Sequence, residues 1–102
     1  IITSIGHEGL RKGVDEELIS KVTDISNLPI VASGGVGSIN DVINILNSNI
    51  SISGIAIASC FHYYYLNNLL SAHKEGNQDY LKGIRDKFEK HSFSIEELKK
   101  KL

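Results

Sequence analysis

The chain has no methionine, one cysteine, one proline and, among its 102 residues, only four tyrosines and three phenylalanines as aromatics. The single cysteine, Cys60, excludes an internal disulfide and fits a reducing, cytoplasmic compartment. Four histidines without zinc-like spacing give no metal site, and no cofactor is expected. Neither sign of charge prevails: Lys and Arg number 11 against 12 Asp and Glu, for a net charge of -1. Nucleic acids and anionic membranes select for a basic excess, so neither is expected as a partner. The longest apolar stretch, Gly54 to Phe61, falls far short of the roughly 20 residues that span a bilayer. The chain opens on Ile1-Ile2-Thr3-Ser4-Ile5, which already reads as strand and has no leader pattern, so its first residue is expected to lie inside an element of a longer protein. With 41% apolar and 23% charged residues the composition is that of a folded domain. The length suffices for one small core.

What is present is a strand–loop–helix rhythm. Ile1 to Ile5 predicts a first strand, and Gly6 to Val14 a mobile polar loop with glycines at 6, 9 and 13. Asp15 is positioned to cap a helix whose first turn carries Glu16 and Glu17, with Leu18, Ile19, Val22 and Ile25 at helical spacing to about Ser26. Pro29 to Ser33 reads as a strand covered on both faces. Ser38 with Asp41 resembles a capping box for a second helix, with Val42, Ile43, Ile45 and Leu46 as its inner face. Gly54 to Ser59 predicts a third strand, whose alternating small residues suit a barrel interior. Helices follow over His62 to about Lys74 and Tyr80 to His91. Ser94 and Glu97 form a capping box for a last one ending in Lys99-Lys100-Lys101, where the lysines complement the macrodipole. Strands alternating with helices predict a parallel α/β sheet, with open edges that favour a homo-oligomer or a further portion of chain.

Ligands of parallel α/β folds bind beyond the carboxyl ends of the strands. Three segments reach that rim: Thr3 to Gly13, Ser33 to Ser38, and Ala58 to His62. In the second, Gly34, Gly35 and Gly37 offer backbone N–H groups at a helix start, the chemistry of a phosphate cradle. Glycines equally serve tight turns and close helix packing, and both roles stay open. Ala58 and Ser59 offer a second such wall. Glu8 is the one acid of the first rim loop, either a carboxylate for substrate hydroxyls and protons or a solvated loop acid. His7 reads as a flexible loop residue rather than a base, and His62 as a packed residue at a helix start rather than a ligand. His73 and His91 fall on surface helices and receive no role. Cys60 reads as a buried, inert thiol. Tyr63-Tyr64-Tyr65 reads as a cover for apolar surface, with ligand stacking the alternative.

Taken together, Thr3-Ser4-Ile5 with Gly13-Val14-Asp15, the run Leu28 to Gly37, and Ala58-Ser59-Cys60-Phe61-His62-Tyr63 resemble the C-terminal portion of the cyclase subunit of imidazole glycerol phosphate synthase. A weaker echo lies at Ile95 to Lys99. The related isomerase of histidine biosynthesis shares the glycine loop, but the Phe-His-aromatic ending resembles the cyclase more. The resemblance implies a partial (β/α)8 TIM barrel: the last three βα units, a half-barrel-like piece over residues 1–62, with extra C-terminal helices over 63–102. It implies a phosphorylated ribotide-type substrate, and ammonia-dependent cyclisation by a lyase with a glutaminase partner in the full-length parent. Phosphate contacts would fall on Gly9, Gly35, Ala58 and Ser59, with Gly34 beside them. Thr3 and Ser33 would line the channel, and Glu8 would stand where the family carries an aspartate. The family's two catalytic aspartates lie on its first and fifth strands, so no catalytic residue is assigned and the chain alone is not expected to turn over substrate. Where the family reads Asp-Arg-Asp-Gly-Thr this chain has Gly6-His7-Glu8-Gly9-Leu10. That departure leaves room for a paralogue serving surface-sugar amidotransfer or a non-catalytic, self-associating phosphate-binding module.

Overall fold

A computed structural model describes residues 1–72 and 92–102. Its elements are β1 (Ile2–Thr3), α1 (Glu16–Ile25), β2 (Val31–Ser33), α2 (Ile39–Asn47), β3 (Gly54–Ala56), α3 (Ser59–Ala72) and α4 (Ile95–Lys101). The helix expected over Tyr80 to His91, and His73 and His91 themselves, lie outside the described residues.

The strands form one parallel sheet in the order β1-β2-β3. Ile2 pairs with Ala32 and Thr3 with Ser33, while Val31, Ala32 and Ser33 pair with Gly54, Ile55 and Ala56. Strands adjacent in sequence are adjacent in space with no reversal, as in consecutive βα units of an α/β barrel. Each strand is shorter than its apolar run. Ile1 and Ile5 flank β1 at 84% and 89% exposure, so the first run contributes only its middle to the sheet.

Local chemistry starts the helices where the sequence requires. The Asp15 carboxylate accepts the Leu18 N–H at 3.1 Å and caps α1. Ser38 and Asp41 form the capping box of α2, and Ser94 and Glu97 that of α4. Ile19 on α1 and Ile45 on α2 are fully buried, each side chain contributing about 1.5–3 kcal/mol by burial. Leu46, expected on the inner face, is half exposed: the buried stripe of α2 is Val42 and Ile45, and Leu46 lies one helical step past it.

Helix α3 starts at Ser59, three residues before the expected His62, and β3 ends at Ala56 instead of Ser59. Cys60, in the first turn of α3, is fully buried in a cluster with Val36, Val42, Phe93 and Leu98. Phe61 meets Phe93 edge-on at 5.5 Å. The segment around α4 thus packs back over the starts of α2 and α3, holding the rim on which the candidate site lies. No helix among the described residues is long and apolar enough to cross a membrane.

Candidate functional site

A cleft of about 420 Å³ opens beyond the carboxyl ends of β2 and β3. Glu8 and Gly9 enter it from the β1–α1 loop, and Ser33 to Val36 from the β2–α2 loop. Ala56 to Ser59 form its floor and far wall, and His62 and Tyr63 extend that wall along α3. Seven of the eight residues singled out from sequence therefore meet here: Glu8, Gly9, Ser33, Gly34, Gly35, Ala58 and Ser59. Thr3 does not. It pairs with Ser33 from β1 and is exposed outside the lining.

The glycine loop owes its sequence to packing as well as to the cleft. Gly35 has φ +89°, and a Cβ there would lie 2.0 Å from the Gly13 carbonyl oxygen. A Cβ on Gly37 would lie 2.7 Å from the Arg11 carbonyl oxygen. The β1–α1 loop therefore rests directly on the β2–α2 backbone, fixed by Gly13 N–H donating to Gly35 O at 2.9 Å. Gly37 was expected to offer a free N–H, and it does not. Its N–H and that of Ser38 both donate to Asp41 Oδ2 at 2.8 Å. The start of α2 is thus already satisfied by its own side chain.

The start of α3 is different. The residue before it is Ala58, which has no polar side chain to cap the first turn. The first N–H groups of a helix have no intrahelical acceptor and carry about half a positive charge. Here they belong to Ser59 and its successors at the edge of the cleft, opposite Gly34 and Gly35. The lining holds one carboxylate, Glu8, one imidazole, His62, and no lysine or arginine. The groups that could meet an anion there are backbone dipoles, the Ser33 and Ser59 hydroxyls and His62. Behind the wall, the Arg11 guanidinium lies over the Tyr63 ring at 5.2 Å, and Arg11 itself adopts φ 53°.

The loop over residues 6–14 is not the free polar loop expected. Ser4 O accepts the His7 and Glu8 N–H groups at 3.2 and 2.9 Å, and Ser4 N–H donates to Ser33 O at 3.2 Å. The buried Ser4 hydroxyl donates to Asp15 Oδ2 at 2.7 Å. That bond, then the Leu18 N–H, holds the Asp15 carboxyl below the usual carboxylate range, aided by His7 and Lys21 and opposed by burial. His7, taken as a flexible loop residue, is held between Gly13 O and Asp15. Cys60 is buried as expected. Its thiol donates to Val36 O at 3.1 Å, and burial pushes its pKa up, so it has no nucleophilic character here.

His62 lines the cleft and is exposed, which sequence reasoning missed by starting α3 too late. With the helix beginning at Ser59, positions 62 and 63 are three and four residues on and share its face. That spacing was the available signal. Val36, Ala56 and Ile57 were also missed, being apolar positions with no chemical mark. Among the described residues no group of His, Cys, Asp and Glu could hold a metal ion.

A family model described as histidine biosynthesis protein matches residues 1–67. The chain is 44% identical over 63 residues to the imidazole glycerol phosphate synthase subunit HisF of Clostridium beijerinckii, covering 62% of this chain and 24% of that protein. It is 41% identical over 63 residues to the same subunit of Natranaerobius thermophilus, covering 62% of this chain and 25% of that protein. A phosphoribosyl imidazole carboxamide isomerase of Prochlorococcus marinus is 33% identical over 85 residues, covering 78% of this chain and 33% of that protein. The chain thus spans a quarter to a third of the length of the curated relatives it matches.

Proposed function

The chain belongs to the histidine biosynthesis protein family, and from that premise we propose that its cleft binds the phosphate group of a ribotide-type substrate. The observation that carries this reading is the pairing of a helix start left without a side-chain cap at Ala58 with the glycine backbone of Gly34 and Gly35 across the same cleft. Phosphate oxygens accept from the first-turn N–H groups of α3 and from the Ser59 hydroxyl, where the helix dipole favours negative charge. The Glu8 carboxylate, on the cleft's loop side, accepts from sugar hydroxyls. Val36, Ala56 and Ile57 give the apolar surface that excludes water around these contacts.

In this reading residues 1–62 are the last three βα units of a (β/α)8 barrel, with 63–102 as a helical extension. The cyclase chemistry belongs to a parent protein that carries the acid–base residues on other strands and receives ammonia from a glutaminase. The chain itself supplies the binding half of that site. The matches to both HisF and the isomerase support a phosphorylated ligand in either case, since a phosphate-bearing imidazole compound is the feature that their printed names share. Titration with inorganic phosphate, followed by amide shifts, tests the reading. The Gly35 and Ser59 amides should move first and together. Shifts confined to residues outside the cleft, such as Lys99 to Lys101, would overturn it.

A further inference from the structure

His7 lies on the β1–α1 loop outside the cleft lining, yet both of its ring nitrogens are engaged. Nδ1 is 2.9 Å from Gly13 O. A carbonyl only accepts, so Nδ1 keeps its hydrogen and donates. Nε2 faces Asp15 Oδ2 at 3.7 Å. In the neutral ring Nε2 turns a lone pair toward that carboxylate; in the imidazolium it turns an N–H toward it.

The partners of His7 are the supports of the cleft. Gly13 N–H holds Gly35 O, so the carbonyl that His7 grips belongs to the residue that pins the glycine loop. Asp15 is tied to Ser4, whose carbonyl fixes the His7 and Glu8 N–H groups. A Cβ at Gly34 would stand 3.5 Å from Glu8 Cα, which shows how closely the two loops meet. We propose that His7 is a positioning residue: its imidazole clasps Gly13 to Asp15, fixes where Glu8 and Gly9 stand in the cleft, and clasps them more firmly when protonated.

The loop that carries His7 also carries the cations Arg11 and Lys12. Asp15 stands at the start of α1, with Lys21 on the same helix acting on its carboxylate. Glu8 is next to it on its own loop. The β2–α2 loop brings no titratable side chain against it, and Asp41 at the start of α2 is occupied by Gly37 and Ser38 N–H. Because Asp15 is held in its ionised form, a protonated His7 makes a charge pair with it and a neutral His7 does not.

The proposal rests on the cleft reading only for its effect on ligand affinity; the clasp itself is read from amides. The test follows ¹H–¹⁵N spectra of the 102-residue protein from about pH 8 to about pH 5.5, with the ring signals of His7 and His62 resolved. It is run with and without sulfate, a dianion across that range. The Gly13 and Gly35 amides should titrate in step with the His7 ring. They should lie flat in His7→Gln, which keeps a donor for Gly13 O but cannot charge. Acidification should tighten sulfate binding about two- to fivefold more in the wild type than in the variant, the range of a part-exposed ion pair. Amides that stay still, or that follow His62, overturn the clasp, and the wild-type titration alone decides this if His7→Gln fails to fold. Equal sulfate profiles in the two proteins overturn its influence on the cleft. Amides that follow His7 without any sulfate binding sustain the clasp and count against the cleft reading instead.

Discussion

Replacing Gly35 with alanine tests whether the two rim loops are packed against each other. The new Cβ would begin 2.0 Å from Gly13 O, where real contacts stay above 3.0 Å, so the carbonyl must withdraw by about 1 Å. Withdrawal breaks the Gly13 N–H to Gly35 O bond of 2.9 Å, costing about 0.5–1.5 kcal/mol. Alanine at φ +89° adds about 1–3 kcal/mol of backbone strain. The sum, roughly 1.5–4.5 kcal/mol, is a large share of the 5–15 kcal/mol expected for a domain of this size. It corresponds to a fall of about 6–36 °C in Tm. Gly6→Ala is the matched control, since nothing lies within 4 Å of its Cβ position and its φ is not positive. That variant should stay within about 0.5 kcal/mol of the wild type. Urea unfolding of the three proteins gives the comparison. A Gly35→Ala protein as stable as Gly6→Ala would refute the loop packing and the geometry of the cleft with it.

Asp41→Ala removes the acceptor of two N–H groups and the capping box of α2, and should lower stability by about 1–2 kcal/mol in the same urea assay. The lowered Asp15 pKa has a definite sign. Its contribution to stability is present above the unfolded carboxylate value near 3.9 and is lost as pH falls through the folded value. The stability difference between wild type and Asp15→Asn should therefore be widest above about pH 5 and shrink on acidification; a constant difference from neutral to acid pH would contradict it. Cys60 should resist thiol reagents in the folded protein and react fully in unfolding urea, as followed by mass spectrometry.

The features legible in the sequence are those set by neighbours along the chain. Asp15, Ser38 with Asp41, and Ser94 with Glu97 cap helices within three or four residues, and each does so as its spacing predicts. The rim segments could be ordered because strand ends in parallel folds share one side, and this gathers seven of eight expected residues in the cleft. What was not legible depends on distant contacts. The start of α3 at Ser59 follows from Cys60 being buried beneath Phe93 and Leu98, more than 30 residues on. The roles of Gly35 and Gly37 in seating Gly13 and Arg11 need the two loops already folded together. His7 carries no periodic signal, and its two partners, six and eight residues away, are reached only through the turn of the loop.

The central claim is that the cleft between Gly34–Gly35 and the start of α3 recognises a phosphate on a sugar. Calorimetric titration with ribose 5-phosphate and with ribose, under identical buffer conditions, tests it most directly. The account predicts saturable binding of the phosphate ester, no measurable binding of ribose, and loss of the signal in Ser59→Glu, which puts a carboxylate where the phosphate sits. Equal behaviour of the two sugars, or binding undiminished in Ser59→Glu, would contradict it.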